Sequence, residues 1–149
     1  MTTSDLRWCE VKRMYEALTE YITKLDRSEY GKWHVDTEHK GTEDDPIQMP
    51  FVGYERTVID LERAIYDFVD SHSEMELTKY GEILEQNGLE WGTESMEKAD
   101  VRGLDGRAVM ALLVGALRAD RFCEGAFLGF LKSGAMLRWL QRLKGIDEK

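Results

Sequence analysis

Hydrophobic residues recur at helical spacing along most of the chain. Near the start, six apolar residues are separated alternately by three and four positions, which predicts one continuous helix over residues 4–26: Trp8, Val11, Tyr15, Leu18, Ile22 and Leu25. Thr3 or Ser4 can cap this helix. The stripe covers fewer than three heptads, so we expect it to pack on its own domain. A homodimer formed through residues 8–25 stays the alternative.

Two short strands are predicted next. Residues 30–36 alternate, with Trp33 and Val35 on one face, and residues 47–52 form the returning strand. Pro50 has no backbone N–H, so we expect this second strand to lie at an edge or to break there. The polar and acidic residues 37–50 predict an irregular loop.

Helical spacing returns in the middle of the chain. We predict a helix over 54–70, a shorter one over 77–87 that stops at Asn87-Gly88, and one or two turns over 93–99. The side chains that should face inward are Val58, Leu61, Ile65, Phe68, Leu77, Tyr80 and Leu84.

The last third is the most apolar part. Asp105 should cap a helix over 106–119 that has few polar positions and therefore lies at the centre of the protein. Asp120 should cap the next helix, 121–132, and Gly145 should stop the last one, 135–144. Met110 and Met136 are predicted to pack inside.

Together these elements predict a mainly α protein of the α+β class: a compact helical domain with a small two-stranded β element near residues 30–52. The 149 residues suit a single domain spanning 1–149. No apolar run is long enough to span a membrane, and Met1–Glu10 is too polar for a signal peptide.

Charge is unevenly distributed. The formal net charge is −9, with −4 in residues 1–50, −9 in 51–100 and +4 in 101–149. An acidic chain repels phosphate backbones, so we expect no direct contact with nucleic acid. Either the acidic middle packs on the basic end and is partly neutralised, or an acidic face meets a basic partner.

Motifs for familiar chemistry are missing. The sequence has no P-loop, no dinucleotide-binding glycine pattern, no nucleophile elbow and no His-Glu-x-x-His helix. Cys9 and Cys123 form no CxxC pair, and we interpret them as buried thiols in a reducing cytoplasm. No catalytic residue, cofactor or metal is predicted.

Two groups of polar residues resemble functional patterns without matching them. Alternation places His34, Asp36 and Glu38 on one strand face with His39 nearby, and we interpret this as a solvated face rather than a metal site. Carboxylate pairs such as Glu82 with Glu85, or Asp60 with Glu62, are interpreted as solvated helix faces.

The segment from Arg118 to Gly125 joins two very apolar helices. Arg118 and Arg121 are three positions apart, so their guanidinium groups could hold an anion beside an aromatic ring such as Trp91 or Trp139. Alternatively, Asp120 caps a helix and the arginines pair with acids such as Glu124. Aromatic residues near element ends line either a recognition surface or the rim of the core: Trp33, Trp91, Trp139, Phe51 and Tyr54.

Four stretches resemble a domain-of-unknown-function family of small proteins from Clostridia-type bacteria and their mobile elements. These stretches are 45–54, 77–91, 99–105 and 118–125, and the likeness extends over about residues 30–144. The resemblance implies a cytoplasmic bacterial protein and implies no catalytic residues.

Three functions stay open. The first is a small acidic, non-enzymatic interaction protein, for example a mobile-element or phage-type inhibitor of a host nucleic-acid-binding or defence protein. Its binding residues would include Glu43, Asp44 and Asp45. The second is a protein that binds or sequesters an anionic, nucleotide-like small molecule at Arg118 and Arg121. The third is a carboxylate- or metal-dependent hydrolase.

Overall fold

The long apolar segment of the last third forms the centre of the protein. A computed structural model describes residues 13–148, and most of these residues are helical. The order of elements is α1 (Glu16–Thr19), α2 (Tyr21–Leu25), β1 (Gly31–His34), β2 (Phe51–Tyr54), α3 (Arg56–Ser71), α4 (Tyr80–Gln86), α5 (Thr93–Glu97), α6 (Gly106–Phe122), α7 (Ala126–Lys132) and α8 (Ala135–Asp147), with 3₁₀ turns at Ser73–Met75 and Leu77–Lys79. This confirms a mainly α fold with a small antiparallel β element.

Helix α6 is buried along most of its length and packs against α4, α7 and α8. Asp105 caps it as predicted, because its carboxylate accepts a 2.8 Å hydrogen bond from the Ala108 N–H. Leu113 and Met110 have no exposed surface. The predicted central position of this helix is confirmed.

A glycine at the start of α6 allows the N-terminal segment to come close. The Tyr15 hydroxyl lies where a Cβ on Gly106 would stand. The Tyr15 ring stacks on Phe68 with 5.4 Å between centroids, and the Tyr15 N–H donates a 2.9 Å bond to Asp147. At the start of α1, Tyr15 therefore contacts α3 and α6 through its side chain and α8 through its backbone N–H.

The predicted helix over 4–26 is partly wrong. In the described part it is two short helices, joined at Glu20, whose backbone stays in the right-handed helical region. Tyr15, Leu18 and Leu25 are buried as predicted, but Tyr21 takes a buried position and Ile22 is only half-buried. Thr3, Ser4, Trp8, Cys9 and Val11 lie outside the described residues.

The two strands are shorter than predicted and the second is displaced. β1 ends at His34, and β2 begins directly after Pro50, pairing Gly31 with Tyr54 and His34 with Phe51. Because Pro50 cannot donate a backbone hydrogen bond, it marks the beginning of the strand rather than its interior. Between the strands, residues 35–50 form no helix or strand apart from the isolated bridge between Thr42 and Asp45.

The middle of the chain follows the predicted pattern. α3 buries Val58, Leu61, Ile65 and Phe68. The 3₁₀ turn before α4 buries Leu77, and α4 itself buries Leu84 and leaves Tyr80 half-buried. α4 ends at Gln86, and the predicted stop follows at Asn87-Gly88, where Gly88 has a φ of +76°, a conformation that favours glycine.

Boundaries in the last third differ from the prediction. α6 continues through Arg121 to Phe122, and α7 begins only at Ala126, so residues 123–125 form a turn where the prediction had a helix. Asp120 nevertheless caps α7 from a distance, since its carboxylate accepts a 3.0 Å bond from the Phe127 N–H. α8 passes through Gly145 to Asp147, because a glycine costs a helix only about 1 kcal/mol and does not end it by itself.

Two predictions about single residues in this region are wrong. Cys123 is exposed, because it lies in the turn rather than on a packed helix face. Trp139 is fully buried in α8 against the ring of Phe130, so it lines no surface pocket. Met110 and Met136 are buried, as predicted.

Arginines of the basic end contact the acidic middle through backbone carbonyls. Arg107 donates to the Met75 carbonyl at 2.8 Å and Arg138 to the Glu97 carbonyl at 2.6 Å. In the part of the chain that the structure covers, one ion pair joins residues 51–100 to 101–148, and it is the exposed pair of near neighbours Asp100 and Arg102 at 2.8 Å. Apart from this local pair, the two regions pack together without pairing their charges. No helix in this same part is long and apolar enough to cross a membrane.

Candidate functional site

The two strands and the loop between them form a hairpin arm, residues 31–54. Across the pair, Trp33 and Val52 share one face, and His34 and Phe51 lie on the other. The His34 ring stacks on Phe51 with 4.9 Å between centroids and covers Gly53, where a Cβ would be 2.8 Å from the His34 Nε2. The outer face of the arm is therefore an exposed aromatic surface.

Asp36 organises the loop of the arm. Its carboxylate accepts hydrogen bonds from the N–H groups of Gln48, Glu38 and His39, and from the His39 ring nitrogen at 2.6 Å. These bonds stabilise the ionised form, so they lower the pKa of Asp36 to about 2. The bond to Gln48, 2.8 Å long, connects the two ends of the loop.

Large apolar side chains are exposed along the arm. Val35, Met49 and Phe51 expose 62%, 82% and 47% of their surface, and Trp33 and Ile47 are also exposed. Four of them, Trp33, Val35, Met49 and Phe51, line a cavity of about 410 Å³ together with His34, residues 36–39 and Gln48. A cluster of this kind is unusual on a surface that meets only water.

The tip of the arm is acidic. Glu43 and Asp44 are exposed in a tight turn closed by a bridge between Thr42 and Asp45. Asp45 is half-buried, and its carboxylate accepts a 3.1 Å bond from the Lys40 N–H. The predicted acidic residues therefore lie on the same arm as the exposed apolar side chains.

The exposed turn between α6 and α7 holds the base of the arm. The Tyr54 hydroxyl donates a 2.9 Å bond to Asp120 and accepts one from the Leu128 N–H at 3.1 Å. The Trp33 ring lies where a Cβ on Gly125 would stand. Burial, followed by the Asp120 carboxylate, raises the pKa of the Tyr54 hydroxyl well above its usual range.

Glu124 has a different partner from the one predicted. Its carboxylate accepts a 3.4 Å bond from the Val52 N–H of β2. Among residues 13–148, it forms no ion pair with Arg118 or Arg121. Glu124 therefore helps to attach the arm instead of neutralising the arginines.

Glu62, a half-buried carboxyl of α3, lies near this junction. Burial, followed by the charge of Asp120, raises the pKa of Glu62 to about 7. The prediction that Glu62 lies on a solvated face is therefore wrong, whereas Asp60 forms a surface ion pair with Arg56 at 3.0 Å. Spacing along α3 does not predict the raised pKa of Glu62, because Asp120, whose charge contributes to it, lies on α6.

Trp91 lies beside α6, near the predicted arginines. Its indole N–H donates a 3.0 Å bond to the Gly115 carbonyl, and its ring meets the exposed Phe122 edge-on at 5.8 Å. Arg118 lies between these two contact positions along the helix and is half-buried, while Arg121 is exposed. The structure thus brings Trp91 to the arginine-bearing end of α6, separately from the acidic tip.

The residues with metal-like spacing have other contacts. His34 stacks on Phe51, and His39 pairs with Asp36. Within the described range, no group of three or more histidine, cysteine or acidic side chains is placed to hold a metal ion.

Sequence reasoning missed how the base of the arm is held. Sequence spacing gives these residues common roles: an aromatic residue near an element end for Tyr54, a helix cap for Asp120 and a turn for Gly125. Their contacts join positions 66 to 92 residues apart, as in the bonds and packing of Tyr54 with Asp120 and of Trp33 with Gly125. The glycine in the 118–125 segment was the available signal, because a turn glycine often permits close approach.

Comparison with known proteins gives a family and no activity. The model of a family of unknown function, DUF6508, matches residues 11–149. Searches of curated proteins and of solved structures found no match.

Proposed function

Since this chain belongs to DUF6508, a family of unknown function, we propose its role from its own surface: it is a non-enzymatic interaction protein whose hairpin arm binds a basic protein partner. The observation that carries this proposal is the cluster of exposed apolar side chains on the hairpin arm. Trp33, Met49 and Phe51 would lose contact with water in a complex, and this gain is available only when a partner covers them.

The charge of the arm determines what kind of partner fits. Residues 31–54 contain five carboxylates and two lysines, and two of the exposed acids, Glu43 and Asp44, lie at the tip. An acidic surface attracts a basic one over several ångströms, which speeds association and makes it sensitive to salt. An apolar centre with a charged rim is the usual composition of a protein interface.

The partner class that follows is a protein with a positively charged surface. Nucleic-acid-binding proteins carry such surfaces, because they neutralise phosphates with lysine and arginine. We therefore expect a nucleic-acid-binding or defence protein of a bacterial host, which the arm would inhibit by occupying its basic face in the cytoplasm. The proposed origin on a mobile element agrees with such a role.

A pull-down with matched variants tests the proposal. The tagged chain is incubated at low salt with lysate of a related bacterium, beside a variant with Glu43, Asp44 and Asp45 changed to lysine. A control variant changes the exposed acids Asp70, Glu82 and Glu85 to lysine, so its net charge is the same. We expect a stoichiometric basic protein on the wild type and the control, but not on the arm variant.

A wash at 0.5 M salt, where the Debye length is about 4 Å, should release that protein. Equal capture by both lysine variants would show that the arm is not the binding surface. Failure of the wild type to hold any basic protein would reject the proposal.

The position of Trp91 favours a second candidate, the binding of an anionic, nucleotide-like molecule. Its ring is fixed on α6 beside Arg118, where it could stack on a base while Arg118 and Arg121 hold phosphates. This candidate predicts a thermal shift with ATP that is lost in Arg121→Ala. No shift with ATP, ADP, GTP or inorganic phosphate would reject it. The hydrolase alternative stays a prediction.

A further inference from the structure

The two edges of the β element differ. The Glu55 N–H donates to the Tyr30 carbonyl at 2.8 Å, so the pair 30/55 is hydrogen-bonded, and the alternation of an antiparallel ladder makes 32/53 and 34/51 hydrogen-bonded too. The backbone groups of Trp33 and Val52 therefore point away from the partner strand.

The outer edge of β2 is occupied. The Val52 N–H donates to the Glu124 carboxylate, and the turn between α6 and α7 lies along this side. On the outer edge of β1, the Gly31 N–H donates to the Glu29 carbonyl at 2.8 Å. Among residues 13–148, no hydrogen bond reaches the N–H or the carbonyl of Trp33. The β1 edge is therefore open.

We propose that the β1 edge binds an extended, basic segment of the partner protein as an added third strand. This rests on the proposed function and specifies its binding mode. An open edge offers main-chain donors and acceptors to any extended peptide, and the side chains around it select the sequence. The Trp33 N–H and carbonyl supply the central pair of main-chain bonds.

The surroundings of the edge select a basic segment. The lining of the 410 Å³ cavity at the end of β1 includes two aromatic residues, Trp33 and Phe51, and two acidic ones, Asp36 and Glu38. Hydrogen bonds lower the pKa of Asp36, so its negative charge is present at neutral pH. Aromatic faces and carboxylates together suit a lysine or arginine side chain entering from the added strand.

A second copy of this chain fits the edge less well. Pairing of two β1 edges would bring together two arms that each carry five carboxylates and two lysines. Like charges held close repel each other, whereas a basic segment removes this repulsion. A dimer is therefore one outcome of the test rather than the expected one.

The test uses a displayed library of random twelve-residue peptides, selected on the intact protein. We expect enriched peptides that are extended and basic, with alternating side chains. Trp33→Pro removes the outward N–H without breaking a bond to β2, and Trp33→Ala removes the same indole but keeps the N–H. Binding should be about tenfold weaker to Trp33→Pro than to Trp33→Ala, because a main-chain hydrogen bond is lost.

N-methylation of the selected peptide, one residue at a time, gives a second readout on the wild-type protein. Added strands bond through every second residue, so methylation should weaken binding at alternating positions only. The added strand would be overturned if methylation weakened binding at no position, or if the peptide bound both Trp33 variants equally well. A dimer in sedimentation that Trp33→Pro dissociates would overturn it in favour of a second copy.

The same selection separates this inference from the proposed function. In one outcome, methylation weakens binding at alternating positions, but the selected peptides are not basic and bind the Glu43, Asp44 and Asp45 lysine variant unchanged. That result would support the added strand and reject a basic partner. In the other outcome, the selected peptides are basic and do not bind the lysine variant, but methylation has no alternating effect on their binding. That result would support binding by the acidic arm and reject the added strand.

Discussion

At the scale of single residues, the role of an acidic side chain depends on contacts that sequence spacing does not reveal. Asp36 has metal-like spacing with His34, yet it holds the arm by binding the N–H of Gln48, twelve positions away. Glu62 has the spacing of a solvated helix residue, yet it lies near Asp120, on a different helix. Charge type could be predicted at both positions, but burial and partners could not.

Glu62 should make stability depend on pH. Its pKa is raised to about 7 from the ordinary 4.5, so the folded state binds a proton more tightly than the unfolded state does. Stability from this group is therefore complete below about pH 4.5 and is lost as pH rises through about 7. We expect a loss on the order of 1–2 kcal/mol, reduced by partial exposure.

Urea unfolding at a series of pH values measures this effect. In Glu62→Gln, which cannot ionise, the decrease in unfolding free energy between pH 5 and pH 8 should become smaller. The Glu85→Gln variant is a control on an exposed helix face and should retain the wild-type profile. An unchanged profile in Glu62→Gln would contradict the raised pKa.

Gly106 should not tolerate a methyl group. Alanine there would overlap the Tyr15 hydroxyl, so we expect a cost of about 1–3 kcal/mol from overpacking. Gly129 is the matched control, since it is also helical but has open space where a Cβ would stand. Gly129→Ala should stabilise by about 0.5–1 kcal/mol. Thermal unfolding of both variants checks the pair, and an equal gain in both would refute the close approach.

At the scale of elements, sequence patterns predict which elements form better than where they end. Periodicity predicted α3, α6 and the two strands, because apolar spacing follows burial. It misplaced β2 and the start of α7, where the ends are set by Pro50 and by the contact between Trp33 and Gly125. The site was found only in parts: the acidic tip and the aromatics were named separately, and folding places them on one arm.

Gly125 should couple the arm to the helical body. It has a φ of +87°, and a Cβ there would overlap the Trp33 ring. Gly88 shares the positive φ but has open space around it. We expect Gly88→Ala to cost about 1 kcal/mol and Gly125→Ala about 1–3 kcal/mol more. A double-mutant cycle by urea unfolding tests this, since the excess should vanish in a Trp33→Ala background. An excess that persists there would place the strain elsewhere.

At the scale of the whole molecule, the charge pattern is only partly explained by folding. The basic end does pack on the acidic middle, but Arg107 and Arg138 bind carbonyl groups, which leaves most carboxylates facing solvent. Net charge could be read from composition, whereas its placement depends on which side chains the core leaves outside. The surplus of negative charge on the arm is therefore available to attract a partner.

The stability of the whole protein should depend on α6, whose side chains connect most of the helices. Leu113 has no exposed surface, so Leu113→Asp would place a charge in the core without a partner as well as remove an apolar side chain. Domains of this size are stable by only about 5–15 kcal/mol, and an unpaired buried charge costs a large part of that. We expect no cooperative melt for this variant in calorimetry. Leu113→Ala, which leaves a cavity but no charge, should lose about 2–5 kcal/mol and still melt cooperatively. A cooperative transition in Leu113→Asp would show that the fold accommodates a charge at this position, and it would contradict the central role of α6 in stability.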